Sequence, residues 1–168
     1  LVDRWYLNRF EEYGDGENIN IGMNEEYCYQ EVNTCENGNS ITLTYCSSFL
    51  TFYMDLNTDG TYRLFLEENN SDYDWEASIS SCTQVNLPDY LYQYDSEGIW
   101  AYNESNGKLF MAEYFYRSTE NGEIYEEFYD AGDAQLLFDT PISINGNSFE
   151  LNFYDPEDGY QVIYTFEK

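Results

Sequence analysis

The sequence has no histidine, and its 6 Lys+Arg residues face 33 Asp+Glu residues, which gives the 168-residue chain a formal net charge of −27. Histidine is the side chain most often used for proton transfer near neutral pH, so catalysis that depends on histidine is excluded. A surface this acidic repels nucleic acid and anionic lipid headgroups, because both are polyanions. A basic partner, or a divalent cation shared with another acidic surface, would suit the charge.

Long apolar runs are also missing: none approaches the roughly 20 residues of a transmembrane helix, and no signal peptide is visible. The chain begins at Leu1 rather than methionine, so we expect a processed or trimmed polypeptide. Highly charged chains are often disordered, but 19 Tyr, 11 Phe and 3 Trp supply ample apolar surface for a core. Acidic residues are dispersed between apolar ones, as in 149–153, so we expect residues 1–168 to form one folded domain.

The four cysteines, Cys28, Cys35, Cys46 and Cys82, are an even number, which is compatible with two disulfides in an exported protein. We favour a Cys28–Cys35 bridge, which closes a short polar loop, together with a Cys46–Cys82 bridge that ties two strands. Free buried thiols and a zinc site are the alternatives. Zinc is disfavoured because there is no CxxC pair and no histidine to complete a ligand set.

Apolar and polar residues alternate in short segments between turn residues, which is typical of β-strands. The clearest hairpins cover residues 49–66, with Asp59-Gly60 at the turn, and residues 149–166, with a turn at 155–159. Successive hairpins of this kind predict an all-β fold, a single antiparallel up-and-down β-barrel of about 8–10 strands.

Three other segments depart from this succession of hairpins. Residues 17–46 are polar and contain three of the cysteines, so we expect a disulfide-bearing insertion after the first strand, with Glu17–Ser40 outside the main sheet. We expect a strand at 75–80 and a short helical turn at 89–94, after Pro88.

Several landmarks occur in a characteristic order: Leu-Val-Asp-Arg-Trp-Tyr-Leu at 1–7, a strand and Asp-Gly-Thr-Tyr hairpin at 52–62, Gly-Ile-Trp at 98–100, and Tyr-Thr-Phe-Glu-Lys at 164–168. In this order they resemble the motifs of bacterial lipocalin-like domains, and they span most of the chain. The chain departs from the family's pattern at Asp3, where the family usually has Gly.

The resemblance implies a lipoprotein of Bacteroidetes-type bacteria, because such domains are commonly tethered by a lipidated cysteine ahead of the domain. It implies export to the periplasm, or to the outer membrane or cell surface. Contact with the membrane would then be made only through an anchor outside this sequence. Many members of the family have no established activity.

One motif carries metal chemistry: Asp55, Asn57, Asp59 and Gly60 match the first half of an EF-hand calcium loop. The twelfth position of that loop, which needs a bidentate Glu, is occupied by Leu66. We interpret the motif as the tip of a hairpin, because turn chemistry alone explains these residues. A weak surface calcium site, with the three side chains converging, is the alternative, and no other cofactor is expected.

Adjacent carboxylates occur at Glu11-Glu12, Glu25-Glu26, Glu67-Glu68 and Glu126-Glu127. A glycosidase needs two carboxyl groups that face each other across a cleft at about 5–10 Å. Neighbouring residues on a strand point to opposite faces, so none of these pairs is itself an acid–base dyad. We expect solvated surface carboxylates and no catalytic residues.

The densest aromatic cluster comprises Tyr90, Tyr92, Tyr94, Trp100 and Tyr102. Alternation would place the three tyrosines on one face if this stretch is a strand. The cluster would then line a cavity for an apolar ligand, stack against sugar rings, or simply fill the barrel.

These observations favour a non-enzymatic accessory protein of the cell envelope that acts by binding. Its ligand would be a partner protein, held through a tyrosine-rich surface, or a small apolar molecule inside the barrel. The alternative is a carbohydrate-binding or glycoside-hydrolysing protein that uses surface aromatics and a carboxylate pair.

Overall fold

The described part of the chain folds into twelve antiparallel strands and one short helix. A computed structural model describes residues 1–14, 17–130, 132–155 and 159–168. The strands are β1 (Asp3–Gly14), β2 (Glu17–Gly22), β3 (Glu26–Thr34), β4 (Ser40–Leu56), β5 (Thr61–Ser71), β6 (Tyr90–Asn103), β7 (Lys108–Glu120), β8 (Glu123–Phe128), β9 (Gln135–Pro141), β10 (Ser143–Asn145), β11 (Ser148–Asp155) and β12 (Tyr160–Glu167). The helix α1 covers Trp75–Ser81.

All twelve strands belong to one sheet, whose main path is β10-β11-β12-β1-β4-β5-β6-β7-β8. The all-β, antiparallel prediction is confirmed, and so are the hairpins β4–β5 and β11–β12. The turn expected at 155–159 lies partly outside the described residues. The path does not return to its first strand, so the described sheet is open and a closed barrel is not confirmed. Near the gap, β9 and β11 meet through Phe138 and Phe153, whose ring centroids are 5.1 Å apart.

The segment expected to be an insertion outside the sheet is part of it, so that prediction is wrong. β1 and β4 pair directly only from Asp3↔Leu56 to Tyr6↔Tyr53. Beyond this point β2 pairs with the second half of β1, and β3 pairs with the first half of β4. The segment belongs to the sheet because it satisfies the backbone hydrogen-bonding groups that the diverging strands would otherwise leave unpaired.

The disulfides are Cys28–Cys46 and Cys35–Cys82, so the favoured pairing of Cys28 with Cys35 and of Cys46 with Cys82 is wrong. Cys28 and Cys46 are direct partners in the β3–β4 ladder, with Cα atoms 4.1 Å apart. Cys35 lies just after β3 and Cys82 just after α1, with Cα atoms 5.4 Å apart. The second bridge therefore anchors the helix to the β3–β4 hairpin.

Residues 75–81 form the helix rather than the expected strand, and residues 90–94 belong to β6 rather than to a helical turn. The helix begins after Asp74, whose side chain accepts a hydrogen bond from the Ala77 amide at 2.9 Å. It ends at Cys82, which adopts a left-handed conformation with φ 53°. No helix in the described part of the chain is long and apolar enough to span a bilayer.

The core lies on one face of the sheet, which curves at bulges in β1, β4 and β7. Alternation places every second residue of a strand on this face, and those residues are predominantly aromatic or aliphatic. The fully buried members with the largest side chains are Trp5, Tyr62, Phe149, Phe166, Leu43, Met54, Leu56, Leu109, Met111 and Leu151.

The six basic side chains all form ion pairs with carboxylates. These pairs are exposed to solvent, so each contributes on the order of 0–1 kcal/mol to stability. The pairs are Arg4–Asp55, Arg9–Glu11, Arg63–Asp95, Lys108–Asp139, Arg117–Glu126 and Lys168–Asp3.

Gly98 of β6, which lies opposite the bulge in β7, lets two neighbouring groups approach closely. A Cβ at this position would lie 2.0 Å from the carbonyl oxygen of Ala112 and 2.5 Å from Cε1 of Tyr62. We predict that Gly98→Ala lowers the free energy of unfolding by about 3 kcal/mol, because a backbone atom must move to admit the methyl group. Urea unfolding measures the loss.

Gly132 provides the matched control, since no atom lies within 4 Å of its added Cβ. Gly132→Ala should change the free energy of unfolding by less than about 0.5 kcal/mol. Equal effects of the two substitutions would contradict the close packing at Gly98.

Candidate functional site

An apolar cavity of about 380 Å³ lies against the core face of the sheet. Five strands line it, β4, β5, β9, β11 and β12, and alternation on β12 supplies every second residue from Tyr160 to Phe166. Its volume falls within the range of about 300–1,000 Å³ that is typical of small-molecule sites. The lining residues are Phe52, Met54, Leu64, Phe138, Leu151, Phe153, Tyr160, Val162, Tyr164 and Phe166.

Towards the start of β1, aromatic rings pack in the interior beside the cavity. The ring of Trp5 packs edge-on against Phe149 at a centroid distance of 4.9 Å, and Phe149 stacks on Phe166 at 5.2 Å. The indole nitrogen of Trp5 donates a hydrogen bond to the carbonyl oxygen of Leu1 at 2.7 Å. This satisfied donor lets the large side chain be buried without an unpaired polar atom.

Towards the end of β1, glutamates and tyrosines occupy the same face of the sheet. Glu12 follows the buried Phe10 by two residues on β1, and Glu68 follows Leu66 by two residues on β5, so both carboxylates are on the core face. We call this region the acidic end, and it consists of Glu12, Tyr27, Tyr29, Glu68, Tyr92, Tyr160 and Tyr164.

A tyrosine hydroxyl holds the Glu12 carboxylate. Tyr29 donates a hydrogen bond to its Oε2 at 2.7 Å. Burial raises the pKa of Tyr29 well above its ordinary value, and the hydrogen bond to Glu12 raises that pKa further. The Tyr29 hydroxyl therefore remains a protonated donor at neutral pH.

Glu68 is half-buried, and among the described residues none donates a hydrogen bond to its carboxylate. Burial raises the pKa of Glu68 because the charged form is desolvated. The Tyr27 ring is 5.7 Å from the ring of Phe49, the ladder partner of Glu68, and the Tyr164 ring is 5.3 Å from that of Phe10. Both tyrosines interact electrostatically with Glu68 and Glu12. Burial, with smaller contributions from Tyr160, Glu68 and Glu12, raises the pKa of Tyr164 to about 12.

A third carboxylate, Glu113 on β7, is 1% exposed. Its Oε2 accepts hydrogen bonds from the Tyr94 hydroxyl and the Ser96 hydroxyl, both at 2.5 Å. The Tyr62 hydroxyl lies 3.1 Å from Ser96 Oγ and extends the network. Hydrogen bonds of this kind offset the free-energy cost of burying a carboxylate. The network explains why polar side chains are found on the core face of β6.

The adjacent carboxylates behave as alternation predicts. On β1, Glu11 forms an ion pair with Arg9, whereas Glu12 is on the core face. On β5, Glu67 accepts a hydrogen bond from Gln93 at 2.7 Å, whereas Glu68 is on the core face. The sequence predicts surface carboxylates in these pairs, and it does not single out Glu12, Glu68 or the buried Glu113 as interior side chains. Their spacing of two residues from apolar core positions is the signal that could have identified Glu12 and Glu68.

The aromatic cluster of β6 lies on one face, because the stretch predicted to be a helical turn is a strand and its residues alternate. Tyr94, Trp100 and Tyr102 pack against the core, and the indole nitrogen of Trp100 donates to the carbonyl oxygen of Asn57 at 3.0 Å. Tyr92 is the partner of Glu68 in the β5–β6 ladder. Tyr90 lies further out on the same face, so the cluster extends from the core to the acidic end. A binding role for these five residues stays a prediction.

The side chains of the calcium motif have separate partners. Asp55 forms a two-pronged ion pair with Arg4, with both N–O distances 2.6 Å. Asn57 donates to the Thr61 hydroxyl at 3.1 Å, and Asp59 accepts from the Thr61 amide and hydroxyl. The bonds of Asn57 and Asp59 close the β4–β5 hairpin through turn chemistry, and the ion pair of Asp55 joins β4 to β1.

We predict that Glu68→Gln stabilises the protein at pH 8. The folded state raises the pKa of Glu68 above its unfolded value, so ionisation of this group opposes folding once the pH exceeds the unfolded pKa of about 4.3. The gain should shrink as the pH falls through the raised pKa, because the wild-type carboxyl is then protonated in the folded state. Urea unfolding at pH 8 and pH 5 measures it.

Glu67→Gln is the matched control, since it removes the same charge from the other face of the same strand. Both substitutions reduce the general repulsion within an acidic chain, so the comparison isolates the effect of burial. A Glu68→Gln variant no more stable than the Glu67→Gln variant at pH 8 would contradict the desolvation of Glu68.

No protein-family model, curated protein or solved structure matches this chain. The resemblance to lipocalin-like domains is neither supported nor contradicted by these comparisons, and it stays a prediction. The argument for a function therefore rests on the cavity, its acidic end and the fold that positions them.

Proposed function

We propose that this protein is a non-enzymatic, lipocalin-like binding protein that holds a small apolar ligand in its interior cavity. The observation that carries the proposal is the cavity of about 380 Å³, whose lining consists of eight hydrophobic side chains and two tyrosines. Apolar lining with a few polar groups at one end is typical of sites that bind small molecules. Burial of an apolar ligand there would contribute about 25 cal/mol per Å² of surface removed from water.

A barrel-like closure around the ligand is part of the proposal. The contact between Phe138 of β9 and Phe153 of β11 supports it, because these side chains span the gap in the ladder and both line the cavity. In this arrangement the gap between β9 and β11 would serve as a flexible seam through which a ligand could enter.

The two disulfides fit an oxidising environment outside the cytoplasm. We infer that the protein acts in the cell envelope, as the lipocalin-like resemblance implies. If the protein is attached to a membrane as a lipoprotein, its acidic surface would face the surrounding solution.

A second candidate function is binding of an envelope partner protein. Strand β8 ends the main path of the sheet and exposes the large side chains Ile124, Tyr125 and Phe128, the last at 73% of its surface. Exposed apolar residues on a terminal strand are typical of interaction surfaces.

We predict that the neutral apolar probe N-phenyl-1-naphthylamine binds at one saturable site, with enhanced fluorescence. Val162→Phe places a larger side chain in the cavity and should weaken binding about tenfold or more, a loss of about 1.4 kcal/mol. Val32→Phe makes the same change at a position that is 73% exposed, and it should leave the affinity unchanged.

Circular dichroism of both variants verifies that the fold is retained. The absence of saturable binding to the wild-type protein would contradict the proposed function. Equal affinities of the folded Val162→Phe variant and the wild type would show that the probe binds elsewhere.

A further inference from the structure

The carboxylates of the acidic end have no cationic partner within the described residues. The six Lys and Arg side chains form ion pairs with other carboxylates, none of them Glu12 or Glu68. Glu12 accepts a hydrogen bond from the Tyr29 hydroxyl, and no described donor contacts the Glu68 carboxylate. Half-buried carboxylates without a countercharge are costly, because desolvation disfavours the ionised form.

These carboxylates lie directly beside the cavity. Glu12 is the ladder partner of Val162, which lines the cavity. Glu68 is the ladder partner of Phe49, whose ring centroid is 6.1 Å from that of the lining residue Phe52. A ligand whose apolar part fills the cavity would therefore have its outer end among carboxylates and tyrosine rings.

We propose that the ligand is an organic ammonium ion, with its hydrophobic body in the apolar cavity and its positive group between Glu12 and Glu68. This inference rests on the proposed function, since it names the chemical class that the same cavity accepts. Tyrosine rings are present in the same region: Tyr27 packs on Phe49, Tyr92 is the ladder partner of Glu68, and Tyr164 packs against Phe10. Aromatic faces attract ammonium ions.

Charge complementarity favours a cationic ligand over a neutral or an anionic one. A neutral ligand would bury Glu68 further and leave its negative charge uncompensated. An anionic ligand would be repelled by two nearby carboxylates and by the net charge of −27. A cationic ligand would neutralise the unpaired carboxylates and so offset their desolvation cost. Neutral and anionic ligands cannot provide this gain in binding free energy.

Three compounds of similar shape test the proposal: 4-phenylbutylamine, 4-phenylbutan-1-ol and 4-phenylbutanoate. Each competes with N-phenyl-1-naphthylamine for the wild-type protein at pH 7.5 and 0.15 M salt. The amine should bind about tenfold or more tightly than the alcohol, and the carboxylate should be the weakest of the three. Equal affinities for the amine and the alcohol would overturn the proposal.

The variant Glu68→Gln should reduce the ratio of amine to alcohol affinity to about one to three, and Glu12→Gln should reduce it in the same direction. Glu67→Gln removes a carboxylate from the opposite face of the same strand, so it should keep the wild-type ratio. A ratio that falls equally in the Glu67→Gln and Glu68→Gln variants would overturn the proposal, because general surface charge would then explain the preference.

The two proposals fail in different ways. If the naphthylamine probe binds but the three compounds displace it equally well, the cavity binds ligands without selecting a cation. If the probe does not bind the wild-type protein and direct calorimetry detects none of the three compounds, the proposed function itself fails. Circular dichroism of each variant ensures that a lost preference is not a lost fold, and Glu12→Gln supplies an independent readout if Glu68→Gln does not fold.

Discussion

Burial of aromatic side chains on one face of the sheet holds this chain together against a net charge of −27. The basic residues form only exposed ion pairs, which contribute little to stability. Aromatic rings in the interior make many contacts with one another. The ring of Phe10 alone lies 5.3 Å from Phe49, 5.3 Å from Tyr164 and 5.7 Å from Tyr27, all measured between centroids. Because the core is aromatic rather than ionic, the carboxylates can be dispersed over the outer surface without unfolding the protein.

The divergence of β1 and β4 gives the interior its two different ends. Where these strands pair directly, Trp5 and Met54 are fully buried. Where they separate, β2 and β3 continue the sheet and bring Tyr27 and Tyr29 to the core face beside Glu12. The disulfide between Cys28 and Cys46 fixes β3 to β4 at this point. One topological feature thus produces both the apolar cavity and its acidic end.

Local pattern was enough to predict much of this fold. The alternation of β12, the turn chemistry at Gly60 and the common face of the β6 aromatics were all readable, because each depends on neighbours within a few residues. The disulfide pairing was not readable, because Cys28 lies opposite Cys46 only through the β3–β4 register. The interior glutamates were missed because composition favours exposed carboxylates and only strand register shows which of them face the core. The helix was missed because Asp74 caps a segment whose apolar spacing also suits a strand.

The three methionines of the chain allow the most direct test of an interior ligand site. Met54 lines the cavity, Met111 is buried without lining it, and Met23 lies in the turn between β2 and β3. In protein labelled with ¹³C at the methionine methyl groups, titration with 4-phenylbutylamine should shift the Met54 resonance and give nuclear Overhauser effects from its methyl group to the ligand. The Met23 and Met111 resonances should give no such effects. Contacts of the ligand with Met23 alone, or an unperturbed Met54 at saturation, would contradict an interior site.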